Sequence, residues 1–170
     1  MSELESASYD QYKNIPSYED LGKKFKIIFS GECYQNIMQK SIWSMNNNKE
    51  RGCFFVGKII SENPKVIFFD YNTSEIAQEK GPAGEGKSVI PTQQSYNELN
   101  AKIREYKSLK IKPVVMHFHS HPRSGFYELF SDQDLQNYAK MQAQNKDCYT
   151  LGMLGFPVQT LPTIGMCIVR

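Results

Sequence analysis

The chain has 170 residues, 40% of them hydrophobic and 22% charged, with a formal net charge of +2. This length and balance are typical of one globular domain with its own core. A net charge so near zero gives no electrostatic argument for a nucleic-acid partner or a membrane surface, and no apolar run approaches the roughly 20 residues that span a bilayer. The composition therefore predicts one folded domain that binds neither nucleic acid nor membrane.

We expect residues 1–24 to form an N-terminal leader and residues 25–170 to form the domain. The leader is polar with scattered tyrosines, which is typical of a segment that is partly disordered or lies across a surface. Its first ten residues are acidic and polar, without the basic region and apolar core of a secretory signal. The leader is therefore not expected to direct secretion.

Cysteine usage indicates a reducing compartment. The chain has four cysteines, Cys33, Cys53, Cys148 and Cys167, and none belongs to a Cys-x-x-Cys pair. A disulfide framework or a cysteine zinc site is therefore not expected. Cys53 and Cys167 lie within apolar, strand-like runs and are predicted to be small buried hydrophobic residues. We predict a cytoplasmic protein.

The first half of the domain predicts a strand at 25–29, a helix that begins near Ser30, a strand at 51–60 and a third strand at 65–70. A turn at 62–64 would pair the last two strands. The helix carries apolar residues at helical spacing, which we interpret as its core face: Tyr34, Ile37, Met38, Ile42 and Trp43. A turn is predicted at 46–48.

A loop is predicted from Thr73 to Gln94, which is rich in Gly, Pro and small polar residues. Residues 81–88 match the phosphate-loop pattern of two glycines flanking four residues, followed by Lys and Ser. A phosphate loop needs a strand before it and a helix after it. The preceding residues are polar and Pro91 obstructs a helix, so we interpret the match as an ordinary loop.

The second half predicts a helix at 96–107 with Leu99, Ile103 and Tyr106 facing inward, then a central strand from Val114 into the histidines. A helix at 133–145 and a closing pair of strands at 148–156 and 163–169 follow. The predicted order is β-α-β-β-α-β-α-β-β. This order predicts an α/β (α+β) domain with a mixed sheet flanked by helices.

The central strand ends in a histidine cluster. His119 and His121 are two residues apart, so in a strand they point to the same face, roughly 6–7 Å apart. Two imidazoles so placed can both reach one metal ion. Pro122 cannot extend a sheet ladder, so the strand should stop at the sheet end. His117 lies on the same face, and spacing alone leaves a His117–His119 pair open. If His119 and His121 are the pair, His117 is expected to be either a buried contact beneath the site or a plain core histidine.

A carboxylate is expected to complete this cluster. Ser131 is predicted to be a helix N-cap, and Asp134 falls in the first turn, where a carboxylate is favoured and can face the histidines. The same spacing is also close to that of a capping box. Two histidines and one aspartate leave a fourth tetrahedral position open, which is the pattern of a catalytic zinc site.

These residues resemble the signature of the JAMM (MPN+, JAB) metalloprotease family, which is an upstream Glu, then His-x-His-Pro, then Ser-x-x-Asp. The matching residues here are Glu50, His119 to Pro122, and Ser131 to Asp134. The family usually has six residues between the Pro and the Ser, and this chain has eight, which costs little closure entropy. Asp134, rather than Asp132, keeps the family spacing.

The resemblance implies an MPN/JAB-like (cytidine-deaminase-like) fold of the prokaryotic type and one Zn²⁺ per chain, held by His119, His121 and Asp134. It also implies that Glu50 is the general base and that Ser131 donates a hydrogen bond to the oxyanion or orients the carbonyl. By itself Glu50 would be a solvated carboxylate at a strand start. Gly57 follows it at the family's spacing of seven residues.

The implied activity is zinc-dependent hydrolysis of amide bonds at the C-terminal tail of ubiquitin or a ubiquitin-like protein, in deconjugation or precursor processing. One alternative is a peptidase that exposes the C-terminus of a sulfur-carrier protein. Another is a catalytically silent MPN scaffold that binds partners. Residues 123–130, which are aromatic and longer than the family's loop, are expected either to contact substrate or simply to pack.

Overall fold

The computed structural model describes residues 25–75, 77–80, 86–122, 130–158 and 161–169. The leader at 1–24 and the segment 123–129 lie outside the described residues. The described part contains eight strands and three helices: β1 (Phe25–Phe29), α1 (Gly31–Asn47), β2 (Arg51–Glu62), β3 (Lys65–Asn72), β4 (Ala77–Lys80), β5 (Gly86–Ile90), α2 (Gln93–Ser108), β6 (Pro113–Ser120), α3 (Asp132–Gln144), β7 (Tyr149–Val158) and β8 (Leu161–Val169).

Six strands form one mixed sheet in the order β1-β3-β2-β6-β7-β8. The pairs β1–β3 and β6–β7 are parallel, and the other neighbours are antiparallel. The expectation of a mixed α+β domain is confirmed at this coarse level. The helices and main strands also follow the predicted order, with one addition.

That addition is a two-stranded hairpin, β4–β5, so the prediction of a continuous loop over 73–94 was wrong. Backbone N–H and C=O groups of this segment are paired across the ladder, for example at Ala77–Ile90 and Gln78–Val89. The polar, glycine-rich composition gave no sign of this pairing. Ser88 lies in β5, so the segment after the phosphate-loop match is a strand and not a helix. The polar residues before the match form β4, which the sequence did not predict.

Strand β6 is the centre of the molecule, and all eight of its residues are buried. One of its faces contributes Val114, Met116 and Phe118 to a core that also contains Cys33 and Ile37 of α1. The opposite face contributes Val115 to a second core, which includes Leu99 and other inward residues of α2. Because helices cover both faces, β6 is continuously apolar up to its histidines.

Helix α1 presents a different face to the sheet from the one predicted. Ile37 is buried as expected, but Tyr34 is 53% exposed and Ile42 is 45% exposed. The buried residues of the helix are Cys33, Ile37, Lys40, Ser41 and Ser44. The two serines are buried because small side chains allow the helix to approach the sheet closely. The buried face of this helix is therefore rotated relative to the predicted apolar stripe, and the two share Ile37.

Candidate metal centre

The end of β6 brings two imidazoles together at the sheet edge. β6 ends at Ser120, and the backbone N–H of His121 donates to the carbonyl oxygen of Gly155 at 2.7 Å, which fixes the first residue beyond the strand. The Nε2 atoms of His119 and His121 are 3.1 Å apart. Both side chains are almost fully buried. The predicted pairing of these two histidines on one face is therefore present.

Ser120, between the two histidines, points to the opposite face and attaches the strand end to its surroundings. Its hydroxyl is hydrogen-bonded to the hydroxyl of Ser44 on α1. It also accepts from the backbone N–H of Arg51 at 3.3 Å and lies 3.1 Å from the Arg51 carbonyl oxygen. These bonds connect the end of β6 to α1 and to the start of β2. Glu50 is the residue immediately before β2.

The N-terminus of α3 places Asp134 against the histidines. Oδ2 of Asp134 is 3.6 Å from Nε2 of His119. Ser131 and Asp134 form a capping box, in which the Asp134 N–H donates to Ser131 Oγ at 3.2 Å and Asp134 Oδ2 accepts from the Ser131 N–H at 2.8 Å. The cap therefore fixes the position of the carboxylate. Asp132, in the same turn, is exposed.

One ligand atom from each of His119, His121 and Asp134 lies within 4.8 Å of the others. Two imidazole nitrogens and one carboxylate oxygen form a donor set that suits Zn²⁺, and three protein ligands are the number found at catalytic zinc sites. Burial lowers the pKa of His119 to about 3, so this imidazole is neutral at pH 7 and its ring nitrogen is available as a ligand. The residues present thus fit a metal ion.

Glu50, distant in sequence, lies beside this group. Its Oε1 is 3.6 Å from Nε2 of His121, and its side chain is 13% exposed. Burial, with a further contribution from the charge of Asp134, raises the pKa of Glu50 to about 8. The antiparallel β2–β6 ladder, in which Arg51 pairs with Ser120, brings this carboxyl group to the histidines. The five predicted site residues, Glu50, His119, His121, Ser131 and Asp134, therefore lie in one place.

The hydroxyl of Ser131 donates to Oδ2 of Asp134 at 2.6 Å. In this arrangement Ser131 supports the candidate ligand directly. The role implied by the resemblance, donation to an oxyanion, would require the hydroxyl to turn away from Asp134.

Tyr138 is part of the site, a role that was not predicted from the sequence. Its side chain is 1% exposed, and its hydroxyl lies 3.3 Å from Nδ1 of His117 and 3.4 Å from Nδ1 of His119. The signal in the sequence was its position one helical turn after Asp134, which places both side chains on the same face of α3. His117 is thus connected to the candidate ligands through Tyr138.

A cavity of about 280 Å³ opens beside the candidate ligands. Its wall is formed by residues of α3, by the start of α2 and by His117: Pro91, Tyr96, His117, Asp134, Asn137, Tyr138, Lys140, Met141 and Gln144. Asp134 therefore contributes both to the metal-ligand group and to the wall of the adjoining cavity.

No protein-family model matches the chain, and no curated protein matches it. Among solved structures, the Trichoplax adhaerens STIL N-terminal domain aligns with 84% of this chain at 12% identity and a TM-score of 0.36. The chain spans 40% of the length of that structure. A TM-score of this size does not establish a common fold. Separately, none of the helices in the described residues has the length and apolar character needed to cross a membrane.

Proposed function

We propose that this protein is a zinc-dependent isopeptidase or peptidase of the JAMM type, which hydrolyses amide bonds at the C-terminal tail of ubiquitin or a ubiquitin-like protein. The observation that carries the proposal is the convergence of His119, His121 and Asp134, with Glu50 beside them. The resemblance noted in the sequence supports the substrate class. The same residues would also suit the processing of a sulfur-carrier precursor.

His119, His121 and Asp134 would hold the metal ion. When bound, Zn²⁺ supplies a Lewis acid that polarises the scissile carbonyl and makes a water molecule more acidic. The chain contributes the geometry that supports this chemistry. Ser131 and the turn it caps hold the Asp134 carboxylate, and the buried end of β6 holds the two imidazoles in place.

Glu50 is the candidate general base and acid. Burial raises the pKa of this carboxyl group, which favours its protonated form, and the charge of a nearby cation would lower that pKa toward neutrality. A carboxyl group tuned in this way can take a proton from the attacking water and give it to the leaving amine. Hydrolysis would then proceed without a covalent intermediate on the protein.

The first test is zinc content by elemental analysis, together with cleavage of a ubiquitin-like conjugate and of a precursor with a short C-terminal extension. We expect about one zinc per wild-type chain, and loss of zinc and cleavage in the His119→Ala/His121→Ala variant. Asp134→Ala should behave like that variant. Asp132→Ala is the matched control, because this exposed aspartate lies in the same helical turn, and it should retain both zinc and activity.

The outcomes separate the candidate functions. Cleavage of the conjugate supports an isopeptidase, whereas cleavage of the extension alone supports precursor processing. Zinc without hydrolysis of either substrate would favour a metal-containing binding module. A wild-type chain that takes up no zinc would contradict the catalytic proposal.

A further inference from the structure

His119 can bind a metal ion through Nε2 only in one of its two neutral forms. Its Nε2 faces His121 and Asp134, at 3.1 and 3.6 Å, so this nitrogen is the candidate donor. The lone pair on Nε2 is free only when the ring proton is on Nδ1. The partner of Nδ1 therefore determines whether His119 is ready to bind metal.

The group next to Nδ1 of His119 is the hydroxyl of Tyr138, at 3.4 Å, and that hydroxyl also lies 3.3 Å from Nδ1 of His117. All three side chains are buried: His119 is 2% exposed, Tyr138 is 1% exposed and His117 is 8% exposed. Aromatic rings pack on them: Phe54 packs against His117, and Phe130 packs against both His119 and Tyr138.

A single hydroxyl between two imidazole nitrogens can donate to one and accept from the other. In a hydrogen-bond chain in which His119 donates from Nδ1 to Tyr138, the tyrosine hydroxyl donates in turn to Nδ1 of His117. His117 then carries its own proton on Nε2. The opposite direction of the chain would put the proton of His119 on Nε2 and block metal binding through that atom.

We propose that Tyr138 and His117 are positioning residues that hold His119 in its metal-binding tautomer, through a hydrogen-bond chain from His119 Nδ1 to the Tyr138 hydroxyl to His117 Nδ1. The inference rests on the proposed metal site. It gives a function to the third histidine and to a buried tyrosine that the proposed hydrolysis does not itself use. Partners of this kind typically change metal affinity by 10–100-fold when they are removed.

The test uses the full chain and two measurements besides activity. Zinc affinity is measured by competition with a chromophoric chelator, and the ring protons of the three histidines are located by ¹H–¹⁵N correlation spectra of the zinc-loaded protein. In the wild type we expect the proton of His119 on Nδ1 and that of His117 on Nε2.

Tyr138→Phe removes the hydroxyl and keeps the ring. We expect its zinc affinity to fall by about 10–100-fold, while the circular dichroism spectrum of the metal-free protein stays the same. Tyr96→Phe is the matched control, because Tyr96 lines the same cavity and, among the described residues, its hydroxyl bonds to no histidine. His117→Gln retains an acceptor and should lose less affinity than His117→Leu.

Two results would overturn the inference while leaving the proposed function intact. One is a zinc-loaded wild type in which His117 carries its proton on Nδ1, a result that does not depend on whether any variant folds. The other is a folded Tyr138→Phe variant whose zinc affinity stays within twofold of the wild type. A wild-type chain that binds no zinc would instead contradict both the proposed function and this inference.

Discussion

Glu50 combines a buried carboxyl group with an acidic neighbour, and this combination predicts a specific defect when the carboxyl group is removed. Glu50→Gln keeps the size of the side chain but cannot accept a proton from water. We expect the zinc content to stay near one per chain and the rate of cleavage to fall by about 10²–10⁴-fold. Steady-state cleavage with elemental analysis of the same samples measures both.

Glu62→Gln is the control for this substitution, because Glu62 lies at the far end of β2 and its side chain is 72% exposed. Its rate should match the wild type. Wild-type cleavage by Glu50→Gln would exclude Glu50 as the proton carrier.

The same carboxyl group predicts how stability depends on pH in the metal-free protein. The pKa of Glu50 rises from 4.5 to about 8 in the folded chain. Between these values the folded chain keeps a proton that the unfolded chain releases, so the free energy of unfolding falls as pH rises. The contribution of this group is at most about 1.4 kcal/mol per pH unit.

Urea unfolding of chelator-treated wild type and Glu50→Gln from pH 5 to 8 tests this sign. Burial lowers the pKa of His117 and His119 from 6.5 to about 3. Between these two values, the contribution of these groups to the free energy of unfolding rises with pH. Both proteins retain these histidines, so the difference between the two curves isolates Glu50. Parallel curves would show that the pKa of Glu50 is not raised.

Helix α3 depends on Ser131 both for its cap and for the position of a candidate ligand. Ser131→Ala removes the acceptor for the Asp134 N–H and the donor to the Asp134 carboxylate. We expect a loss of about 0.5–2 kcal/mol in unfolding free energy, together with weaker zinc binding. Urea unfolding and zinc titration measure these effects, and Ser131→Thr should preserve most of both. Unchanged stability and affinity with slower cleavage would instead favour the oxyanion role.

Strand β2 contains a glycine whose replacement should be costly. The β2–β3 register shifts between Val56 and Gly57, and a Cβ atom on Gly57 would overlap the Phe68 carbonyl oxygen and lie 2.8 Å from Cδ1 of Phe69. Gly57→Ala should therefore destabilise the protein by about 1–3 kcal/mol, measured by thermal unfolding.

Gly31→Ala is the matched control, because a Cβ atom at Gly31 in the first turn of α1 would have no neighbour within 4 Å. This substitution should leave stability the same or raise it by up to about 1 kcal/mol. Equal effects at the two glycines would argue against the close approach of β2 and β3.

At the scale of the whole molecule, zinc should couple the sheet to α3, because the three ligands come from β6, the residue just after it and the first turn of α3. Zinc at 100 times its Kd would raise the unfolding free energy by about 2.7 kcal/mol. For a chain of this length, that corresponds to a Tm increase of about 5–11 °C. Differential scanning calorimetry measures the shift, which should be absent in His119→Ala/His121→Ala.

The sequence by itself determined the local features of the site. Alternation in a strand placed His119 and His121 on one face, and the Ser131 cap placed Asp134 in the first turn of a helix. It also determined the order of the main helices and strands. These features depend on neighbouring residues, through the period of a strand or helix and the chemistry of a cap, so they can be deduced from local patterns.

Only the tertiary structure decided which distant residues meet. The β2–β6 register brought Glu50 to His121, and the packing of α3 on the sheet inserted the Tyr138 hydroxyl between His117 and His119. The β4–β5 hairpin and the buried face of α1 were likewise not visible in local patterns. Contacts between residues far apart in the chain depend on strand pairing and on how closely helices pack, and a single sequence does not record either directly.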